Sequence, residues 1–363
     1  MYKKIAIIYL LYADEPYKYL DQAFKSIEHQ TYPKELMELV VVYNPPKSDE
    51  HSACCYIREQ IDKRIMNLPH AVVLEQATNL GFVGGNNAGM RWAMDHGCDL
   101  VFLHNGDGDL DGRAIEELAK AMDVNEKIGA VQSLVLLDPE KHLINTAGNN
   151  FHYLGFGYCG LYRQPRESLS SDEVQEVGYL SGSAMMMRID LLKEYGLWDE
   201  DLFIYHDDLE YSLRLQSLGY KTVMAPKSVF YHQYHFSRNK DKYYLMERNR
   251  YAIMLQYMKW PTLLLLAPMN LLVELGILAV AEKNGWIKNK LKAYWYWLSI
   301  KNWKRWLSKR ATVQRQRMVG DKELLKNAVS KIVFEDIDNW VLRNIANPLM
   351  GIYWRVVKKI IKW

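Results

Sequence analysis

The spacing of apolar and polar positions divides the first 240 residues into strands and helices. The unbroken apolar run IAIIYLLY near the N-terminus predicts a strand buried on both faces. Leu20, Phe24 and Ile27 follow at i, i+4, i+7 spacing, which predicts a helix with one buried face. Leu39 to Tyr43 reads as a second strand closed by Asn44-Pro45-Pro46, residues 50–66 as a helix, and His70 to Leu74 as a third strand. A glycine-rich stretch then leads into a short helix near Asn87–His96 and a fourth strand at Leu100–Leu103. Alternating strands and helices imply crossover connections and a mainly parallel, Rossmann-like sheet flanked by helices, with ligands beyond the carboxyl ends of its strands. From 141 to 180 the pattern weakens to loops and short strands. A helix over 207–218 then ends at Gly219, and a strand over 221–231 runs into Tyr231-His232.

The pattern changes after residue 245. Residues 261–281, PTLLLLAPMNLLVELGILAVA, are the most apolar run, long enough to span a bilayer yet interrupted by Pro261, Pro268, Asn270 and Glu274. Basic residues flank both sides: Arg248, Arg250 and Lys259 before it, Lys283, Lys288, Lys290 and Lys292 after it. A single span would place one cluster against the positive-inside rule, so a broken, in-plane or re-entrant helical segment is expected. Trp295, Trp297, Trp303 and Trp306 then interleave with lysines and arginines, and Tyr353 to Trp363 repeats the recipe. Two domains follow, 1–245 and 246–363, the second a basic, Trp-rich helical region.

Charge sharpens this division. Residues 1–240 hold 23 Lys and Arg against 34 Asp and Glu, whereas residues 241–363 hold 23 against 9. Basic, aromatic amphipathic helices suit an anionic membrane surface. Nucleic acid is the rival partner for such charge, and the adjoining apolar run favours the membrane, so no nucleic acid is expected. Cys54, Cys55, Cys98 and Cys159 have no metal-ligand spacing, and Met1-Tyr-Lys-Lys leads directly into a strand. The expectation is reduced thiols, no signal peptide, and a place at the cytoplasmic face of the cell membrane, peripheral or monotopic.

Four stretches carry candidate chemistry. Asn79-Leu-Gly-Phe-Val-Gly-Gly-Asn-Asn-Ala-Gly89 allows close approach of backbone to a phosphate or sugar, but is neither a Walker sequence nor GxGxxG. Asn105-Gly-Asp107-Gly-Asp109 puts hard oxygen ligands for Mg²⁺ or Mn²⁺ at a strand's carboxyl end, with Asp111 read as a helix cap. Trp198-Asp-Glu-Asp and Asp207-Asp208-Leu-Glu210 offer more carboxylates at a helix start than capping requires, one of them a candidate general base. Tyr231-His232-Gln-Tyr-His235 supplies a candidate imidazole ligand at another strand end.

Taken together these stretches resemble the family 2 glycosyltransferases of GT-A fold, over roughly residues 1–240. The resemblance implies that Asn79, Gly81, Phe82, Asn86 and Asp107 lie by a nucleoside-diphosphate sugar. It makes Asp107, Asp109 and His232 ligands of a divalent cation, Mn²⁺ or Mg²⁺. SGSAMMMRIDLLKEYGLWDEDLFIYHDDLEYSLRLQSLGY, Ser181 to Tyr220, is the closest match. It implies Asp208 as catalytic base and Gly182, Trp198 and Asp207 on the acceptor side. The implied activity is inverting transfer to a hydroxyl of a lipid-linked acceptor or a cell-envelope polysaccharide. Rhamnose- and galactofuranose-transferring relatives have similar layouts. Three departures stand out: the first strand ends in Leu11-Tyr12-Ala13-Asp14, Tyr43 replaces an Asp that helps bind the base, and His206-Asp207 replaces a Gly-Glu. The rivals are a nucleotidyltransferase of similar fold, which would release pyrophosphate, and a non-catalytic membrane-bound scaffold.

Overall fold

The computed structural model describes residues 2–12, 16–45, 53–233, 240–333 and 339–363. The chain forms two compact units, one of Met1–Asn149, Cys159–Asp208 and Lys221–His235, the other of Asn150–Tyr158, Leu209–Tyr220 and Phe236–Trp363. The four cysteines are free.

In the first unit, strands β1 (Ile5–Tyr12), β2 (Met37–Asn44), β3 (His70–Glu75) and β4 (Leu100–Asn105) pair in parallel in the order β3-β2-β1-β4. The crossovers contain α1 (Tyr17–Glu28), α2 (Cys54–Lys63) and α3 (Gly81–Asp95). After β4 come β5 (Gly108–Leu110), α4 (Ala114–Asp123), β6 (Ile128–Leu137) and β7 (Ile144–Thr146). Short strands β8 (Asn149–Phe151) and β9 (Gly157–Cys159) form a separate pair, and β10 (Gln175–Glu176), β11 (Ala184–Arg188), α5 (Ile189–Tyr195), α6 (Asp207–Ser217) and β12 (Lys221–His232) complete the order.

Strand β11 enters antiparallel between β4 and β6, and β12 runs parallel to β6 with a bulge between Ala225 and Val229, where Pro226 cannot donate to the ladder. The result is a mixed, GT-A-like sheet of mostly parallel strands flanked by helices. Alternation along β1 explains its two buried faces. Ile5, Ile7, Tyr9 and Leu11 share a core with Leu20, Phe24, Ile27, Leu118 and Met122 of α1 and α4, while Ile8 and Leu10 meet α3.

Helix α3 corrects the expectation of a loop followed by a short helix near Asn87. The glycine-rich stretch is itself helical from Gly81, because its glycines let the helix backbone settle on the strands. A Cβ at Gly85 would lie 2.5 Å from Leu10 Cδ1 and 2.7 Å from Asn44 Nδ2, and one at Gly89 would lie 2.7 Å from Ile8 Cγ2.

The second unit continues with α7 (Lys242–Tyr257), α8 (Trp260–Lys283), α9 (Ile287–Leu298), α10 (Ile300–Gln316), α11 (Asp321–Leu324) and α12 (Asn347–Ile360). The apolar segment is one helix, α8, unbroken through Pro268, and not the broken segment expected from its prolines. Pro261 sits in the first turn, where its missing N–H leaves no bond unmade. Arg250 of α7 bonds Glu247 at 2.9 Å and pairs with Glu274 of α8, while Lys290 of α9 bonds Glu274 at 2.6 Å and pairs with Glu247. Burial by itself would raise the Glu274 carboxyl, but Arg250 and Lys290 outweigh it and hold it at about 2.

Gly85→Ala is expected to destabilise the protein by about 1–3 kcal/mol through overpacking, read as a lowered urea midpoint. Gly276→Ala is the control, since its added methyl group meets nothing within 4 Å. That change should leave the midpoint unchanged or raise it, by up to about 1 kcal/mol.

Candidate active site

The chain's polar residues gather where β4 and β12 end. Asn105, Gly106 and Asp107 follow β4, and the short strand β5 then pairs with β12 so that Gly108 lies opposite His232. A Cβ on Gly108 would meet the Phe230 ring at 2.2 Å, so only glycine permits this turn. Below the turn, Tyr9 donates its hydroxyl to the Gly106 carbonyl at 2.9 Å. His104 packs among Tyr9, Phe102 and Phe230. Burial holds its imidazole down at about 4, so it stays neutral and Nδ1 can donate to the Asn105 carbonyl at 2.9 Å.

His232 Nε2 stands 2.9 Å from Asp107 Oδ1, and Nδ1 stands 2.9 Å from Asn145 Oδ1. The ring is thus held between Asn145 on one side and Asp107 on the other. Asn105 Nδ2 donates to both, at 2.6 Å to Asp107 and 3.1 Å to His232. A carboxylate oxygen beside an imidazole nitrogen is a pair of ligands that a divalent cation fits, with Asn145 orienting the ring from behind. Among the described residues no three His, Cys, Asp or Glu side chains cluster at metal-binding distance.

Asp109 keeps different company from Asp107. It pairs with Tyr231 in the ladder, and its charged neighbours are Lys141 and Asp138. Burial raises its carboxyl, and Lys141 partly offsets the shift. His235 and Asp14 lie outside the described residues.

The start of α3 forms a second wall. Asn79 Oδ1 accepts from Gly81 N at 2.8 Å, and Asn44 Nδ2 donates to the Gly81 carbonyl at 2.9 Å. Gly81 has φ +72°, and a Cβ there would sit 2.6 Å from the Phe203 ring. Asn86 is buried and caps the Phe82 carbonyl at 3.0 Å. Asn87 clamps the buried Trp198 backbone from both sides, donating to its carbonyl at 2.9 Å and accepting from its amide at 3.1 Å.

Gly182 brings the remaining predicted residues together. Its amide donates to Asp208 Oδ2 at 3.2 Å, and a Cβ in its place would meet Trp198 at 3.2 Å and Phe82 at 3.4 Å. Asp207 and Asp208 open α6, Asp207 buried and Asp208 half-buried. Just before them Phe203, Tyr205 and His206 all hold positive φ, at 66°, 68° and 64°. Such strain costs on the order of 1–3 kcal/mol per residue and clusters at functional sites. Glu210 serves a different end, bonding Arg214 and the Tyr257 hydroxyl, each at 2.5 Å. Cys159 is no nucleophile, since burial first and the Asp208 charge second push its thiol up to about 12.

Sequence reasoning missed Asn44, Asn145 and His104. Asn44 ends β2 and Asn145 lies in the short strand β7, and only their hydrogen-bond partners, distant in sequence, give them meaning. Tyr43, expected to occupy a base-binding position, is buried in the core, and the polar end of β2 is Asn44.

Known proteins bear this out at the level of fold. The chain is similar to GalNAc-T7, solved with UDP, GalNAc and Mn²⁺, with a TM-score of 0.55 and 13% identity over 71% of this chain and 48% of that one. The mannosyltransferase PcManGT from Pyrobaculum calidifontis, in complex with GDP-Man and Mn²⁺, gives 0.50 and 15% over 86% of both chains. S. aureus TarS gives 0.50 and 16% over 98% of this chain and 55% of that one. The chain thus spans about half the length of GalNAc-T7 and of TarS. No curated protein matches it by sequence. The sequence profile of glycosyltransferase like family 2 matches residues 12–252, most of the chain, and the protein belongs to that family.

Proposed function

We propose that the protein is an inverting, metal-dependent glycosyltransferase. It moves a sugar from a nucleoside-diphosphate sugar to a hydroxyl of a lipid-linked or polysaccharide acceptor, at the cytoplasmic face of the membrane. The observation that carries the reading is the Asp107–His232 pair, a carboxylate oxygen and an imidazole nitrogen 2.9 Å apart at a strand end in a family 2 chain. Asp107 and His232 would hold the cation, whereas Asp109, the third ligand expected from the sequence, stands with Tyr231 and Lys141 and would not complete the set. A bound Mn²⁺ or Mg²⁺ would neutralise the charge that develops on the departing diphosphate. Residues 1–245 act as the catalytic domain and 246–363 as the membrane-associating region.

Asn79, Gly81, Phe82 and Asn86 line the donor side, where the Asn44 and Phe203 contacts keep the start of α3 rigid. Gly182, Trp198 and Asp207 line the acceptor side. Asp208 takes the proton from the acceptor hydroxyl as its oxygen attacks the anomeric carbon, the bond to the diphosphate breaks, and nucleoside diphosphate leaves with inversion at that carbon. The amide of Gly182 fixes one Asp208 oxygen beside Trp198 and Phe82. Much of the acceleration comes from this positioning.

Titration of the purified protein with a panel of UDP-, dTDP- and GDP-sugars, rhamnose and galactofuranose donors included, is expected to find one donor bound only with Mn²⁺ or Mg²⁺. Chelation and Asp107→Ala should each abolish that binding. No donor bound by folded protein would point to a scaffold, and pyrophosphate as product to a nucleotidyltransferase.

Asp208→Asn is expected to lower turnover by about 10²–10⁴-fold while leaving donor affinity within about twofold, because an amide keeps the Gly182 contact but cannot take the proton. Wild-type turnover in this variant would remove Asp208 from the role of base.

A further inference from the structure

Helix α8 is built inside out. Its outward positions recur every three or four residues and carry Leu264, Pro268, Leu271, Leu272 and Leu275, with Leu264, Leu271 and Leu275 exposed by 73%, 68% and 66%. Its polar residues face the protein. Thr262 accepts from the Trp363 indole at 2.9 Å, Asn270 accepts from Arg250 at 3.2 Å, and Glu274 takes the Tyr294 hydroxyl at 2.5 Å beside Arg250 and Lys290. A helix on a water-covered surface has the opposite arrangement, because leucine gains by leaving water and a carboxylate loses its hydration. An apolar covering outside makes this arrangement favourable.

The same character continues on α12, which touches α8 where Tyr353 donates its hydroxyl to the Leu265 carbonyl at 2.5 Å. Along α12, Leu349, Ile352, Val356 and Ile360 form one exposed stripe, and the exposed cations Arg355, Lys358, Lys359 and Lys362 interleave with its last two turns.

We propose that the leucine face of α8, with the apolar stripe of α12, is seated in one leaflet of an anionic bilayer, and that α8 lies along the membrane without crossing it. The proposal rests on the membrane reading above and specifies its geometry. By length and composition α8 is sufficient to cross a membrane. Its inner face, however, is joined near its start to the C-terminal residue and at mid-helix to the Arg250–Glu247–Lys290 charge cluster. A crossing helix would drag those charges into hydrocarbon, whereas a helix in the plane keeps them on the water side. Anionic headgroups complement the basic residues beside the apolar stripe, and a second copy of the chain would set like charges against each other.

Two measurements on the full chain test this. In sedimentation with phosphatidylglycerol-containing vesicles, the wild type should bind and Leu271→Asp/Leu275→Asp should bind at least about tenfold more weakly, with unchanged thermal melting. In membranes from expressing bacteria, and in a Cys55→Ser/Cys159→Ser background that removes the accessible native thiols, Pro261→Cys and Lys283→Cys, at the two ends of α8, should both react with an impermeant maleimide in inverted vesicles and in neither case in spheroplasts. Labelling of one end from each side would make α8 a span, overturning the proposal and leaving membrane association intact. Folded wild type that ignores the vesicles would overturn both. A dimer that the double substitution dissociates, without vesicle binding, would assign the face to a second copy. Donor binding is read separately and does not depend on any of these outcomes.

Discussion

Helix α3 rests on the sheet at backbone distance, and the site depends on that approach. Gly85 and Gly89 bring the helix against Leu10 and Ile8, close enough that a methyl group at either position would overlap its neighbour. At this distance Asn44, the last residue of β2, reaches the carbonyl of Gly81, and the Phe203 ring covers the position where Gly81 lacks a Cβ. Asn87, between Gly85 and Gly89, holds the Trp198 backbone. The start of α3, the Trp198 segment and the strained turn before Asp208 are therefore referred to one helix, and that helix to the centre of the sheet.

The Asp107–His232 half of the site is organised differently, by hydrogen bonds between strand ends. Asp107 stands on a turn that cannot move freely, since Tyr9 holds its carbonyl side and Phe230 fills the space beside Gly108. The neutral His104 beneath adds a donor without adding a charge that would compete for Asp107. Asn145 and Asn105 settle which nitrogen of His232 faces the carboxylate. Amides suit this work, because they orient charged and titratable groups without titrating themselves.

In the second unit, buried charge does the joining. Glu247, Arg250, Glu274 and Lys290 tie α7, α8 and α9 through side chains removed from water. Such a cluster adds little net stability over apolar packing but strongly penalises any arrangement that breaks it. It fixes the rotation of α8 about its axis, and so decides which of its many apolar residues look outward.

Much was legible in the residues alone. Continuous apolar runs identified β1, β2 and β4, periodic spacing identified α1, and the Asp107, Asp208 and His232 stretches pointed to strand and helix ends, because burial and turn chemistry act locally. The charge division and the apolar run after residue 260 were equally plain. What needed the folded chain was every decision taken by residues far apart in sequence. Glycines of α3 that permit a turn also permit helix–sheet contact, and only Ile8 and Leu10 show which. Asp107 and Asp109 are equivalent ligands on paper, and the β5–β12 ladder gives one His232 and the other Lys141 as neighbour. Pro268 reads as a break in α8, yet the helix runs through it. Glu274 reads as an interruption of an apolar segment, and only Arg250 and Lys290, distant in the chain, make it the residue that orients the helix.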